Sequence, residues 1–131
     1  MKAVDTNIVV RFLVNDDPKQ CAIVKKMMVD VQDRGEKLWV STGVLLETIW
    51  VLRSVYHASK DEIVLAVKTL LDMIIFEFQD EALLEQFCLT APRSSLEPDD
   101  HLIGLSAREK CEFTWTFDKQ AATSNLFKLL K

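Results

Sequence analysis

The sequence predicts an α/β fold, with a central parallel sheet of four to five strands and helices on both faces. Segments typical of strands alternate along the chain with segments of helical periodicity, which is the pattern of a parallel sheet joined by helices. Two of the strand segments, one near each end of the chain, are followed by aspartates, Asp5 and Asp118. Ligands bind at the carboxyl ends of strands in such sheets, near the point where strand order reverses. We therefore expect both carboxylates to meet there.

Length and composition predict one soluble globular domain over residues 1–131. The chain has 131 residues, of which 49% are hydrophobic and 27% charged, and it contains no repeat, low-complexity tract or internal linker. A net charge of -4 argues against binding nucleic acid by bulk attraction, because phosphate contacts need clustered Lys and Arg. This net charge is still compatible with an enzyme that binds nucleic acid locally through metal ions.

The first predicted elements are a strand and a helix. The strand covers Lys2 to Asp5, and we expect it to be buried because Met1 to Val4 carry few polar groups; the apolar block from Ile8 to Val14 continues that buried character. The helix is opened by Asp17 as N-cap, with Pro18 in its first turn, and it ends near Gly35.

Further elements follow from the same signals. Ser59 and Glu62 have the spacing of a capping box, which predicts a helix over roughly Lys60 to Asp72. The remaining predicted elements are a strand at Leu38 to Val40, a helix from Thr42 or Gly43 to about His57, a strand at Ile74 to Phe78, a helix at Asp80 to Thr90, a loop at Arg93 to Pro98, a helix at Asp99 to Lys110, a strand at Phe113 to Phe117 and an edge strand at Leu126 to Leu130.

Glu47 lies in a segment, Val44 to Leu52, that is apolar around nearly the whole circumference of a helix and is therefore expected to be mostly buried. Trp50 and Val51 are its neighbours on the helix surface, so no cation flanks it there. An unpaired buried carboxylate costs several kcal/mol unless it is neutralised or coordinates a metal. A protonated Glu47, or one paired with Arg53, is the alternative interpretation.

Asp100 lies in the first turn of a predicted helix whose apolar positions include Leu102, Ile103 and Leu105. Acidic residues are favoured at helix N-termini by the free amides and the helix dipole. Taken singly, Asp99 or Asp100 is as compatible with helix capping as with a catalytic role.

The three cysteines, Cys21, Cys88 and Cys111, are odd in number, widely spaced and embedded in apolar segments. They support neither a disulfide framework nor a zinc site, so we expect a reducing, cytoplasmic compartment. No apolar run approaches the ~20 residues that cross a bilayer, which predicts no membrane association.

Four segments taken together resemble the acidic motifs of PIN domains. They are Asp5-Thr6-Asn7 after a strand, Leu46 to Leu52 around Glu47, Asp100 to Ile103, and Thr116-Phe117-Asp118. Their order and spacing also match, and the resemblance covers essentially the whole chain. It is closest to the small single-domain PIN proteins that serve as VapC-type toxins in prokaryotic toxin-antitoxin pairs.

This resemblance implies a metal-dependent endoribonuclease in which Asp5, Glu47, Asp100 and Asp118 converge on one or two Mg²⁺ or Mn²⁺ ions. Hard divalent ions prefer oxygen ligands, and a bound ion makes hydroxide from water and polarises the scissile phosphate. Asp5 is expected to be the central ligand, Glu47 and Asp100 to flank it or orient water, and Asp118 to bind more weakly, in part through water.

By similarity to the family, Thr6 and Asn7 would hold Asp5 and its loop through hydrogen bonds, and Thr116 would do the same for Asp118. Ordinary turn chemistry is the alternative role for these side chains.

The chain departs from the family pattern in two places. His101 stands where the family usually has a small residue, and Asp99 directly precedes Asp100. We choose Asp100 as the site residue because the helical apolar pattern follows it in the family register, and Asp99 then fits a cap. For His101, a core-packed or solvent-facing side chain is expected rather than a role in metal binding or proton transfer.

The resemblance also implies an RNA substrate, a small antitoxin protein that masks the acidic pocket, and a homodimer. The basic residues near the motifs that could contact RNA are Arg11, Arg53, Lys110 and Lys119, and the alternative for most of them is an ordinary solvated charge. The main alternative is a non-catalytic PIN-like module that binds a protein or RNA without cutting it. A haloacid-dehalogenase-type phosphatase ranks lower because Asn7 stands where it needs a second Asp, and a phosphoreceiver has no role for Glu47.

Overall fold

The predicted alternation of strands and helices is confirmed in a computed structural model that describes residues 1–131. The strands are β1 (Lys2–Ala3), β2 (Leu38–Val40), β3 (Phe76–Phe78), β4 (Thr114–Thr116) and β5 (Phe127–Leu129). The helices are α1 (Thr6–Leu13), α2 (Pro18–Asp33), α3 (Thr42–Ser54), α4 (Lys60–Leu71), α5 (Glu81–Thr90) and α6 (Pro98–Arg108), with 3-10 turns at Ala91–Arg93 and Ala121–Thr123.

All strand pairs are parallel, as predicted, but they form two small sheets rather than one sheet of four to five strands. Strands β1, β2 and β3 pair in chain order, with Lys2 opposite Leu38 and Leu38 opposite Phe76. The second sheet contains β4 and β5 alone, with Thr114 opposite Phe127. Each strand is two or three residues long, so each ladder is short. The order of the larger sheet does not reverse, so the expected switch point does not lie within it.

The N-terminal segment is less buried and more helical than expected. Strand β1 ends at Ala3 and is exposed at the edge of its sheet, and of Met1 to Val4 only Val4 is buried. The apolar block that begins at Ile8 belongs to α1, which was not predicted as a separate helix. The β-branched Ile8, Val9 and Val10 have limited χ1 freedom and weaken a helical signal. The buried Val9 and Val10 nevertheless anchor α1 to the core.

The helix boundaries follow the capping signals in the sequence. The carboxylate of Asp17 accepts from the Gln20 amide at 3.1 Å, and Ser59 and Glu62 form a complete capping box. Helix α2 ends before Gly35, whose φ of +67° places it in the left-handed region. No helix of the chain combines the length and the hydropathy that crossing a bilayer requires.

The core consists of a main cluster between the first sheet and its helices and a small cluster of Leu96, Ala121 and Leu126 beside α6. Helix α6 approaches the segment around β5 closely at Gly104. A Cβ atom there would lie 2.8 Å from the Phe127 ring and 2.9 Å from Leu126 Cβ. Glycine is therefore needed at this position to let α6 pack on that segment.

Candidate active site

The elements that carry the four predicted acids are neighbours in the fold. Asp5 directly precedes α1, Glu47 lies in the middle of α3, Asp100 is in the first turn of α6, and Asp118 follows β4 after one intervening residue. Helix α3 packs against both α1 and α6, and α6 contacts β4. The packing thus brings the N-terminal Asp5 and the central helix α3 to the C-terminal segment that contains α6 and β4.

Asp5 is the N-cap of α1, and its side chain is exposed. The backbone amide of Ile8 donates to its Oδ1 at 3.1 Å. The carboxylate is thus held by the helix N-terminus rather than by the side chains of Thr6 or Asn7, which occupy the first two helical positions. Asp5 borders a hollow that is also lined by Arg11.

Glu47 is exposed, so the prediction that it lies in a buried helix surface is wrong. Helix α3 packs on the core through one face only, and the face that carries Glu47 and Trp50 is open to solvent. Trp50 is 48% exposed despite its apolar ring. The side chain of Glu47 borders a second hollow, together with Asp99 and Ile103. Burial therefore gives no reason for this carboxylate to need a metal.

Asp99 does not cap α6, contrary to the sequence-based prediction. Glu97 occupies the N-cap position without a side-chain capping bond, and Pro98 is the first helical residue. Asp99 is 9% exposed and accepts two hydrogen bonds from Arg53, at 2.8 Å from Nε and 3.1 Å from Nη2. These bonds hold the pKa of Arg53 above its ordinary value. Arg53 is therefore the partner of Asp99 and not of Glu47, and the pair ties α3 to α6.

Asp100 is the half-buried acid of the set. Its pKa is raised above the ordinary value, first by burial and then by the negative charges of Asp99 and Asp118, while Arg53 acts in the opposite direction. Asp100 and Asp118 are thus close enough to interact electrostatically. Since both oxygens of Asp99 are engaged by Arg53, Asp100 is the carboxylate of this turn that is free to bind a cation.

Asp118 is exposed and is held by the turn that follows β4. Its amide donates to Thr116 Oγ1 at 3.0 Å. Its Oδ1 accepts from the amides of Gln120 and Ala121, at 2.8 Å and 3.3 Å. These contacts fix the direction of the carboxylate at the start of the 3-10 turn.

The chemistry of the donor set fits a hard divalent cation, because every member is a carboxylate and the negative field around Asp100 would be offset by a bound cation. Nowhere in the structure, however, are three His, Cys, Asp or Glu side chains grouped closely enough to hold one ion. Asp5 and Glu47 border different hollows. The convergence of all four carboxylates on one or two ions stays a prediction.

His101 is packed in the core, as expected. It is 4% exposed, its ring lies 6.0 Å from that of Phe87, and its Nε2 lies 2.7 Å from Thr90 Oγ1. Burial, and secondarily the charge of Lys60, lowers its pKa. The lowered pKa favours the neutral imidazole, whose buried Nδ1 has no hydrogen-bond partner and which also lines a cavity beside α6.

Two of the four candidate RNA-contacting cations form ion pairs or hydrogen bonds within the fold. Arg53 binds Asp99, and the guanidinium of Arg11 donates to Gln20, Asp16 and Tyr56. The other two, Lys110 and Lys119, are exposed. Sequence reasoning also missed a polar cavity beside α6 that is lined by Arg93 and Arg108. Its only sequence signal is the hydroxyl-rich character of the two loops that form it.

Comparisons with known proteins identify the family of this chain. The sequence model of the PIN domain family matches residues 2–123. A VapC ribonuclease from Aquifex aeolicus (strain VF5) is 27% identical over 79 residues, which is 60% of this chain and 58% of that protein. The matched region thus spans a little over half the length of this relative. Because the family match includes all four acidic segments and nearly the whole chain, the protein belongs to the PIN domain family.

Proposed function

We propose that this PIN protein is a metal-dependent endoribonuclease that hydrolyses RNA phosphodiester bonds with a metal-activated water. The observation that supports it most is the environment of Asp100. This carboxylate is half-buried in the negative field of Asp99 and Asp118, in the first turn of α6, a helix that packs against α3 and contacts β4. A site that holds a carboxylate under such repulsion is suited to receive a cation.

Asp5, Glu47, Asp100 and Asp118 would hold one or two Mg²⁺ or Mn²⁺ ions. Such an ion, when bound, lowers the pKa of its water and stabilises the charge on the phosphate.

The chain positions these carboxylates through identifiable contacts. The Ile8 amide orients Asp5, and the turn amides together with Thr116 orient Asp118. Arg53 holds Asp99 and thereby keeps the first turn of α6 against α3.

The accessibility of the site favours a polymeric substrate cut internally. Asp5, Glu47 and Asp118 are all exposed at the protein surface. A single strand of RNA could therefore cross the surface without threading an end into a closed cavity.

We further propose that the protein acts in the cytoplasm as the toxin of a toxin-antitoxin pair, as a homodimer that a small antitoxin masks. The surface next to Glu47 supports a protein partner. Trp50 and Ile103, which are 48% and 40% exposed, border the same hollow as Glu47. Exposed apolar side chains beside a functional site are typical of surfaces that another protein covers.

A second candidate is a PIN-like module that binds RNA or a protein without cutting. The separation of the carboxylates favours it, because no three of them are grouped closely enough to hold an ion in this arrangement. It ranks second because all four acids are present, on elements that pack together.

Cleavage of a mixed pool of structured and single-stranded RNA in Mg²⁺, Mn²⁺ or EDTA separates the two candidates. The wild type is expected to cut in either metal and not in EDTA. Asp5→Asn and Asp100→Asn should each slow cleavage by at least about 100-fold, since even changes to residues that only support a metal ligand cost about 10- to 100-fold. Asp30→Asn, on the exposed side of α2, is the matched control and should cut normally. Undiminished cutting by Asp5→Asn and Asp100→Asn, or in EDTA, would refute the proposal; RNA binding without cutting would favour the second candidate.

A further inference from the structure

Beside α6 lies a polar cavity of about 520 Å³. None of its lining residues belongs to the acidic surface, defined as the surface that carries Asp5, Glu47, Asp100 and Asp118. The loop that follows α5 forms one side of it, and the residues around the 3-10 turn Ala121–Thr123 form the other. Arg93 and Arg108 line it, and no Asp or Glu does. In a chain whose net charge is -4, a cavity lined by two cations and no carboxylate is an unusual local concentration of positive charge.

These two arginines differ from the other three in the chain. Arg11, Arg34 and Arg53 each form a salt bridge with at least one carboxylate. Arg93 and Arg108 form none, and the single bond that Arg108 donates goes to the backbone oxygen of Asn125 at 3.2 Å. Most of their guanidinium donors are therefore available to an anion, and the planar fork of arginine matches phosphate oxygens.

Hydroxyl groups add further donors to the same cavity. Ser94 Oγ accepts from the Leu96 amide at 3.0 Å, and Ser124 Oγ accepts from the Leu126 amide at 3.2 Å. Each of these two serines therefore keeps its own O–H proton for another acceptor. The cavity wall thus combines two guanidinium groups that form no salt bridge with two hydroxyl groups whose protons are free to be donated.

One residue joins this cavity to the acidic surface. The Gln120 side chain donates to the backbone oxygen of Ser95, on the cavity wall, at 3.2 Å. The Gln120 amide donates to Asp118 Oδ1 at 2.8 Å. The turn that holds Asp118 is therefore hydrogen-bonded to the wall of the cavity.

We infer that the cavity lined by Arg93 and Arg108 binds a phosphate group. This inference rests on the proposed function, in which the ligand is RNA. The phosphate in the cavity is then a phosphodiester group of the bound RNA strand. Arg93 and Arg108 provide the charge, and Ser94 and Ser124 provide additional hydrogen-bond donors. The cavity thus binds the strand at a distance from the scissile bond and determines which phosphodiester lies at the carboxylates.

The test is fluorescence anisotropy of a labelled single-stranded RNA with the full chain in EDTA, where metal-dependent cutting is absent. Arg93→Ala and Arg108→Ala are each expected to weaken binding about 3- to 10-fold. The slope of log K against log salt should become shallower by about 0.7 for each phosphate that the variant no longer neutralises. Arg34→Ala removes the same charge at an exposed site away from the cavity and should bind like the wild type. Arg93→Lys and Arg108→Lys, checked for folding by circular dichroism, should lie between wild type and alanine.

Thermal stabilisation by inorganic phosphate distinguishes the source of the ligand. If phosphate raises the Tm of the wild type but not of Arg93→Ala/Arg108→Ala, while RNA binding is the same in both, the cavity binds a free phosphate and the assignment to RNA is overturned. If Arg34→Ala weakens RNA binding as much as the cavity variants, or if neither ligand depends on the two arginines, the inference is refuted. Weaker RNA binding by the cavity variants supports the inference even if the wild type cuts no RNA. If the wild type cuts RNA in a metal-dependent way but the cavity variants bind RNA as well as the wild type does, the proposed function stands and this inference is refuted.

Discussion

The contact between Arg53 and Asp99 is expected to be a major stabilising interaction between α3 and α6. Arg53→Ala would leave the carboxylate of Asp99 in its mostly buried position without the two charged hydrogen bonds at 2.8 Å and 3.1 Å. It would also remove a positive charge that lowers the pKa of Asp100 and so partly offsets the effects of burial and of the neighbouring carboxylates. The substitution should therefore lower the free energy of unfolding and increase the repulsion between Asp99 and Asp100 in the first turn of α6.

The expected destabilisation follows from the burial of the pair. Removing one partner of a fully buried ion pair costs about 3–5 kcal/mol. The side chains of Arg53 and Asp99 are 32% and 12% exposed, so water can replace part of the interaction. We therefore expect Arg53→Ala to lower the free energy of unfolding by about 2–3 kcal/mol, or Tm by roughly 10 °C for a domain of this size. Arg34→Ala, which breaks an exposed pair with Glu36, should cost less than about 0.5 kcal/mol.

Urea unfolding followed by circular dichroism measures both effects, with Asp99→Asn and the double variant completing a mutant cycle. Because Asp99→Asn removes the unpaired charge, the double variant should be destabilised by at least about 1 kcal/mol less than the sum of the single variants. If Arg53→Ala cost no more than Arg34→Ala and the cycle were additive, the pair would be an incidental surface contact and the reasoning would be wrong.

Three further outcomes are expected. Gly104→Ala should lower the free energy of unfolding in urea by about 1–3 kcal/mol because α6 has no room there for a methyl group. Gly43→Ala should be neutral or stabilising, since the nearest atom to an added Cβ would be 3.8 Å away. Equal effects of the two substitutions would contradict this. Asp100→Asn should raise Tm in EDTA at pH 7 and leave it unchanged near pH 3. The pKa of Asp100 is higher in the folded than in the unfolded protein, so its ionisation lowers the stability of the fold as pH rises through the folded-state pKa. A change in Tm that did not depend on pH would contradict this. At pH 8 the exposed Cys111 should react quickly with a thiol reagent while Cys88, whose pKa burial raises to about 11, should not, and rapid labelling of Cys88 found by mass spectrometry would oppose this.

Local interactions were the most predictable part of the fold. The caps at Asp17 and Ser59 were found from sequence because an N-cap bonds to amides only two or three residues away. The arrangement of strands in two sheets was not found, since strand pairing is non-local and these strands carry little sequence each.

The errors at the site have the same origin. Asp99 looked like a cap because acids are favoured at helix starts, but its partner Arg53 lies 46 residues away in the sequence. Glu47 looked buried because its helix is apolar all round, yet no element of the fold covers the face that it shares with Trp50. Which face of an apolar helix is covered depends on its neighbours, and periodicity alone does not specify them.

Direct binding of Mn²⁺ to the metal-free protein, followed by the electron paramagnetic resonance signal of the free ion, is the most direct test of a carboxylate metal site. We expect the wild type to bind at least one ion with release of protons, and Asp100→Asn to bind it at least about tenfold more weakly. Asp30→Asn should bind like the wild type. Absence of binding, or equal binding by wild type and by the single Asn or Gln variants of Asp5, Glu47, Asp100 and Asp118, would contradict the proposed metal site.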